Sequence, residues 1–375
     1  MNLRNCCHMP DTIPLPSSSK ALGSLSRLLF PPAGSDASST EDGCGIRDIS
    51  RAEFDELVNL AGTNHVLVRA LDIALKIYRD ARDEMRAEWV ASALAAERAR
   101  IDHAIPYLDS ICAAFEDEGQ DVTVIKSLDH WPDLGSDLDL YTNTHPAKVI
   151  GLMTSRFQAQ IESRSWGDRL AGKWNFLIPG LPQPVEIHVG RLGQTGEQII
   201  LASRIAGRAR PVRIGNRVFR VPAISDRLMI STLQRMYRHF YFRLCDIVDT
   251  TEIAEAGAID YEDLRTSATT AGIWDGVATY LAIVSDYVKQ VRGSGLVLPQ
   301  FVTDSARFGG EEVYFARDFL RVPIVPQSAR LYGAQLSGLL RKRELHSSAR
   351  LGLLPWLATA AALGQKITGS DKGVW

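Results

Sequence analysis

From residue 50 onward the apolar positions recur at intervals of three and four: Phe54, Leu57, Val58 and Leu60, then Val66 through Ile77, then Met85, Trp89, Leu94, Ile101, Ile105, Leu108 and Ala113. That period predicts two or three helices before any strand. The pattern then shifts to a period of two. DVTVIKS (121–127), SDLDLYT (136–142), KWNFLI (173–178) and PVEIHVGR (184–191) alternate or are rich in β-branched residues, and read as strands. Pro146 opens a helix between the second and third of these, running to about residue 163. Thr144 is its predicted N-cap, and proline sits in the first turn, where its missing N–H costs nothing. In PVRIGNRVFRV (211–221) the pair Gly215-Asn216 between two alternating runs signals a hairpin. Helical spacing returns over 225–255, 260–271, 274–291, 327–344 and 348–364, with Ser225 and Asp260 as predicted caps.

The first 46 residues, with PSSSK and PPAGSDASSTEDG, have a composition that buries too little surface to order itself. The chain thus divides into a disordered leader (1–46), an N-terminal helical region (47–119), an α/β core (120–222) and a C-terminal helical region (223–375). The expected class is α+β, a small mixed sheet flanked by helices. With 42 basic and 44 acidic residues, net charge gives no argument for a polyanionic macromolecule as partner. Five cysteines without a CxxC pair suggest neither a disulfide framework nor a zinc site, and fit a reducing cytoplasm. The late apolar run LGLLPWLATAAALG (351–364) falls short of the ~20 residues of a membrane span, so none is expected.

Within LGSDLDLY (134–141), side chains two apart share a face, so Leu138 and Leu140 enter the core while Asp137 and Asp139 project together. Two carboxylates ~4 Å apart repel by roughly 4 kcal/mol at an effective dielectric near ~20, which calls for a cation between them. All-oxygen ligation favours Mg²⁺ or Mn²⁺. PVEIHVG repeats the device: Val185, Ile187 and Val189 make an apolar face, and Glu186 and His188 share the other. If the two strands are neighbours, three acids and an imidazole converge, the set that two-metal phosphoryl or nucleotidyl transfer needs. A Ca²⁺ loop is excluded because DLDLYTN lacks the glycine and distal glutamate of an EF-hand.

The order of VIKS, SDLDLY, VEIHVG and the helical FRLCDIVD, preceded by helices, resembles the bacterial uncharacterised nucleotidyltransferase family of the DNA polymerase beta-like nucleotidyltransferase superfamily, from about Ser50 onward. The resemblance implies a Mg²⁺- or Mn²⁺-dependent enzyme that moves the NMP of a nucleoside triphosphate such as ATP onto an acceptor hydroxyl and releases pyrophosphate. Asp137 and Asp139 would hold the metals. Glu186 would be the third carboxylate and a proton acceptor. Family members carry a Gly-Gly or Gly-Ser turn after the first core strand, whose amides hold the triphosphate; here that turn falls on Lys126-Ser127, ten residues before Asp137. Ser127 would donate to phosphate, and Lys126 would pair with phosphate charge or cap the strand. Gly135-Ser136 lies directly before Asp137, the wrong place for that role. His188 matches the histidine after the third acid, as a substrate contact or a buried structural residue.

Arg204, Arg208, Arg210, Arg213, Arg217 and Arg220 cluster around the hairpin. Arg213 and Arg217 are expected to share a face, toward a triphosphate or toward solvent. Tyr237, Phe240 and Tyr241 read as helix core, and Arg243 and Asp246 as an i,i+3 ion pair. Asp246 also matches a recurrent position of the family. Trp131 is read as a loop anchor or a base-stacking platform. Two rival functions stand beside the first: a glycosyltransferase whose DxD holds the metal of a nucleotide-sugar, and a non-catalytic nucleotide- or protein-binding module. The acceptor (sugar, other small molecule, protein or RNA end) and the oligomeric state are not legible.

Overall fold

The computed structural model describes residues 20–31, 45–316, 318–357 and 359–360. Helix α1 (Lys20–Leu29) falls inside the predicted leader and corrects it over that stretch, while 1–19 and 32–44 lie outside the described residues. Leu22, Leu25 and Leu28 lie three apart, a one-faced stripe hidden in a Ser- and Gly-rich context, and all three are buried. α1 packs on α2 (Arg51–Thr63), α3 (Leu67–Asp80) and α11 (Trp274–Arg292). The Ser26 hydroxyl meets the Tyr287 hydroxyl at 2.6 Å, so the N- and C-terminal helices close on each other. Ser50 and Glu53 form a reciprocal capping box at the start of α2. α4 (Glu84–Asp117) packs along α3 and reaches the sheet region.

The central sheet has five strands in the order β1-β2-β5-β4-β3: β1 (Thr123–Val124), β2 (Leu138–Thr142), β3 (Gln160–Ile161), β4 (Lys173–Leu177) and β5 (Val185–Val189). β2 and β5 run parallel and the other pairs antiparallel. Leu138, Leu140, Phe176, Val185 and Ile187 are fully buried and form the sheet's core layer. α5 (Pro146–Phe157) and α6 (Trp166–Ala171) connect strands within this unit. The N-cap of α5 is His145 rather than Thr144, and the helix stops at Phe157 because Gln158 turns left-handed at φ 52°. The strand expected over 121–127 shortens to two residues because Lys126 also turns left-handed, at φ 62°.

After α7 (Ile199–Arg208), the predicted hairpin forms from β6 (Arg210–Ile214) and β7 (Arg217–Val221), with Gly215 at φ 57° in its turn. The single helix expected over 225–255 is broken. α8 (Ile224–Thr232), capped by Ala223 without a side-chain bond rather than by Ser225, passes into a π-helical turn over Leu233–Arg238. Phe240 is left-handed at φ 56°, Tyr241–Phe242 forms β8, and α9 (Leu244–Glu255) restarts the helix. Apolar periodicity continues across the break, which is why the sequence hides it. Asp260 caps α10 (Tyr261–Ala271), accepting from the Asp263 N–H at 2.9 Å. After α12 (Gln300–Ser305), a small sheet that the sequence did not announce sets β10 (Phe319–Arg321) between β8 and β9 (Tyr314–Ala316). α13 (Ala329–Arg341) and α14 (Leu345–Gly352) follow, while the end of the helix expected over 348–364 lies outside the described residues. The class is mixed α+β, and no described helix is long and apolar enough to cross a membrane.

Candidate functional site

Parallel pairing of β2 with β5 puts Asp139 directly opposite Glu186, and Tyr141 opposite His188. Asp139 and Glu186 therefore stand side by side on the polar face of the sheet, as the alternation requires. One ligand atom from each of Asp139, Glu186 and His188 lies within 4.8 Å of the others. His188 Nε2 is 2.7 Å from Glu186 Oε1 and 4.0 Å from Asp139 Oδ1. Asp137 lies just before β2, half-buried at the rim of the same cleft.

The charges on this face are balanced by two lysines. The Lys126 ammonium bridges Asp139 Oδ1 and Glu186 Oε1, the latter at 3.2 Å. Lys173 on β4 reaches Glu186 Oε2 at 2.7 Å and Asp168 Oδ1 at 3.3 Å. Burial pushes Asp139 up to about 7, with Glu186 and Asp137 adding to the rise and Lys126 opposing it. Burial acts on Glu186 in the same direction, but Lys126, His188 and Lys173 together hold that carboxyl well below the usual range. His188 is pushed down to about 4 by burial, its contact with Glu186 acting the other way. One carboxylate is thus held ionised and its neighbour is poised near neutrality.

Lys126-Ser127 keeps a glycine-like turn without the glycine, since Lys126 adopts a left-handed backbone. Ser127 does not present donors to the cleft. Its N–H bonds Ile125 O at 2.6 Å, and its hydroxyl accepts the Asp139 N–H at 2.7 Å and donates to Asp137 O at 3.2 Å. The expected phosphate donor is instead the pin that fixes the backbone of both aspartates. Replacing Ser127 by alanine leaves the buried Asp139 N–H without that acceptor, and should cost about 1–3 kcal/mol of stability in urea unfolding.

The opposite wall of the cleft is the broken helix. The π turn and the residues after it bring Gln234, Arg235, Arg238, His239, Tyr241 and Arg243 around a space of about 200 Å³ that also touches Lys126, Asp137, Asp139, Lys173 and Glu186. Arg235 is tied at 2.7 Å to buried Asp246, which also accepts the Arg243 N–H at 2.7 Å. Arg235 thus supplies the guanidinium for Asp246 where the sequence pointed to Arg243. Arg238 makes no ion pair among the described residues, and the Arg243 Nε is buried without a hydrogen-bond partner. Tyr241, read as helix core, is a half-buried platform with Arg235, Arg243 and Arg321 guanidiniums 5.7, 6.0 and 5.3 Å from its ring centre. Two of these three arginines, Arg235 and Arg243, line the cleft with Arg238 and the two lysines, so its cations outnumber Asp137, Asp139 and Glu186.

Arg213 and Arg217 correct the expectation of a shared face. In the hairpin register Arg217 pairs with Ile214 and Arg213 with Val218, so the two arginines point to opposite sides. Arg217 binds Asp109 on α4 at 3.1 Å, Arg213 is exposed, and neither lines the cleft. Arg204 and Arg208 are engaged by Asp263, and Arg220 by Asp121. Trp131 is 41% exposed and does not border the cleft, against the base-stacking role. Lys173, Arg235 and Arg238 were not singled out from sequence. Lys173 shares a face of β4 with Asn175, the partner of Glu186, a pairing that only the folded register supplies. The arginines were masked by the uninterrupted helical pattern around them.

No family model, no curated protein and no solved structure matches the chain.

Proposed function

We propose that the chain is a metal-dependent nucleotidyltransferase, acting on a nucleoside triphosphate held between the acidic sheet face and the arginine wall. The observation that carries this reading is the side-by-side placement of Asp139 and Glu186 at the floor of a cleft with a surplus of positive charge. A hard divalent cation fits the site: Asp139 Oδ1 is buried and its one close partner is a cation, the Lys126 ammonium, in the place a metal ion would take. Asp139 and Glu186 would hold the ion, with Asp137 at the rim. When bound, Mg²⁺ or Mn²⁺ lowers the barrier by activating the acceptor hydroxyl and neutralising charge on the triphosphate.

The chain's own groups supply the rest. Lys126 turns from the carboxylates onto phosphate oxygens, and Arg238 and Arg243 bind the β- and γ-phosphates as charge-assisted donors. The acceptor oxygen bonds to the α-phosphorus, the bond from that phosphorus to the bridging oxygen breaks, and pyrophosphate leaves toward the arginine wall. Asp139, whose close partner is Lys126 while Glu186 is bound by Lys126, Lys173 and His188, is the carboxylate suited to take the hydroxyl proton. The family resemblance of SDLDLY and VEIHVG points the same way. The nucleotide-sugar reading has less behind it, because helices rather than repeated strand-helix units precede Asp137 among the described residues.

Calorimetry with Mg-NTPs tests substrate binding. Arg238→Ala should weaken binding by about 10- to 100-fold, the worth of a charge-assisted hydrogen bond of about 1.5–3 kcal/mol, without lowering the melting temperature. Equal affinity in the variant would remove the arginine wall from the account. A second reading has its own observation in the Lys126 bridge: a non-catalytic module in which the ammonium permanently replaces the metal. It requires NTP binding of the same strength with and without a chelator.

A further inference from the structure

The geometry points to a second, softer metal site at the far end of the cleft, where His65, His130 and Cys245 form a three-ligand centre for Zn²⁺ or a similar transition-metal ion. One ring nitrogen of each histidine and the Cys245 sulfur lie within 4.8 Å of one another. His130 Nε2 is 3.6 Å from Cys245 Sγ. A zinc ion with bonds of ~2.0–2.1 Å to nitrogen and ~2.3 Å to sulfur, at a tetrahedral angle, sets those two atoms ~3.6 Å apart. A thiol-imidazole hydrogen bond accounts for that distance alone, but not for the third ligand.

The surroundings hold the three groups in place. Asp249 accepts the Nδ1 proton of His130, which leaves Nε2 as the ligating nitrogen, and Arg69 fixes Asp249 at 2.6 Å and Asp133 at 2.8 Å. A carboxylate behind a ligating histidine is the usual outer layer of such sites. Asn64, next to His65, binds the start of α9 twice: its side-chain oxygen accepts the Leu244 N–H at 3.0 Å, and its backbone oxygen accepts the Cys245 N–H at 3.2 Å. His65 sits at φ 53°, a costly conformation for histidine, and its Nδ1 is buried without a hydrogen-bond partner. A side chain at position 135 would meet the His65 ring at 3.3 Å, so Gly135 keeps the room that this ring occupies.

His65 and His130 both border the cleft, whereas Cys245 lies behind them, fully buried. An ion therefore enters from the cleft, displaces the Cys245 thiol proton to solvent, and keeps a fourth position for water on the cleft side. The thiolate and the net single negative charge of the Asp133–Arg69–Asp249 cluster together offset its two charges. The site shares no ligand with Asp139 and Glu186, and stands whether or not the chain transfers nucleotides.

Co²⁺ binding to the full chain is the test, read by the thiolate-to-cobalt charge-transfer band and the intense visible bands of tetrahedral Co²⁺, with displacement by Zn²⁺. The expected result is one thiolate-bound ion per chain and a thiolate band that survives serine replacement of Cys6, Cys7, Cys44 and Cys112. Asp139→Asn should leave the band intact. Cys245→Ser should abolish it, and Asp249→Asn should weaken metal affinity by about 10- to 100-fold. His65→Ala, a change at a partly exposed residue that leaves the fold measurable, should weaken it by at least as much. A folded chain without a thiolate band, or a band undiminished in Cys245→Ser or unchanged in affinity in His65→Ala, would overturn the site.

Discussion

Asp139→Asn is expected to lower metal-dependent nucleotide transfer by at least about 10³-fold, some 4 kcal/mol of barrier, while circular dichroism shows the fold retained. The substitution keeps the shape and the backbone N–H that Ser127 holds, and removes only the charge. What is lost is both a metal-holding oxygen and the carboxylate that burial has raised to about 7. Glu186 cannot take over as proton acceptor, because Lys173 and His188 each hold one of its oxygens and help keep its carboxyl well below the usual range. Asp137→Asn should cost less, since Asp137 stands half-buried at the rim rather than within the paired register. A transfer rate in Asp139→Asn within a few-fold of the parent would remove Asp139 from the chemistry.

The second large effect belongs to Lys126. In buffer without divalent ions, Lys126→Ala removes the ammonium shared by two buried carboxylates, and should destabilise the chain by about 3–5 kcal/mol, as breaking a buried ion pair does. Millimolar Mg²⁺ should restore much of that loss by taking the vacated place, and do so with a steeper rise in melting temperature than in the parent, where the lysine competes. Lys126→Gly should be more stable than Lys126→Ala by about 1 kcal/mol, because the left-handed backbone at φ 62° strains alanine but not glycine. Denaturant unfolding of both variants with and without Mg²⁺ reads each effect. An alanine variant insensitive to Mg²⁺ would show that the carboxylates do not form a cation site.

Much of this site was legible because strand periodicity is local. Alternation in SDLDLY and VEIHVG put Asp139 on the face opposite Leu138 and Leu140, and Glu186 opposite Val185 and Ile187. Their adjacency was only a condition, since nothing local states which strands pair, and the parallel register met it. Side-chain partners were not legible. Ser127 was assigned to phosphate, but a hydroxyl three residues past a strand end bonds whatever the fold brings near, here the backbone of the aspartates. The break at residues 233–243 escaped notice because Met236, Tyr237 and Phe242 keep apolar spacing through a π turn, and that turn is what carries Arg235 and Arg238 to the cleft. Leu22, Leu25 and Leu28 were hidden by composition, as a helix in a Ser-rich segment reads as leader until its buried face is seen. His65, His130 and Cys245 are separated by 65 and 115 positions, so no spacing rule for metal motifs connects them.

The most direct measurement of the central claim follows the label from each phosphate of the substrate. The chain is incubated with Mg²⁺ and α-labelled ATP, CTP, GTP or UTP in turn, with fractionated small molecules, RNA and protein as acceptors, alongside matched γ-labelled reactions. The account predicts that α-label moves to one acceptor class, that pyrophosphate appears in equal amount, and that both vanish with a chelator or in Asp139→Asn. Label transferred from the γ-position instead, or no α-label transfer by folded, Mg²⁺-loaded chain with any of the four nucleotides, would contradict it.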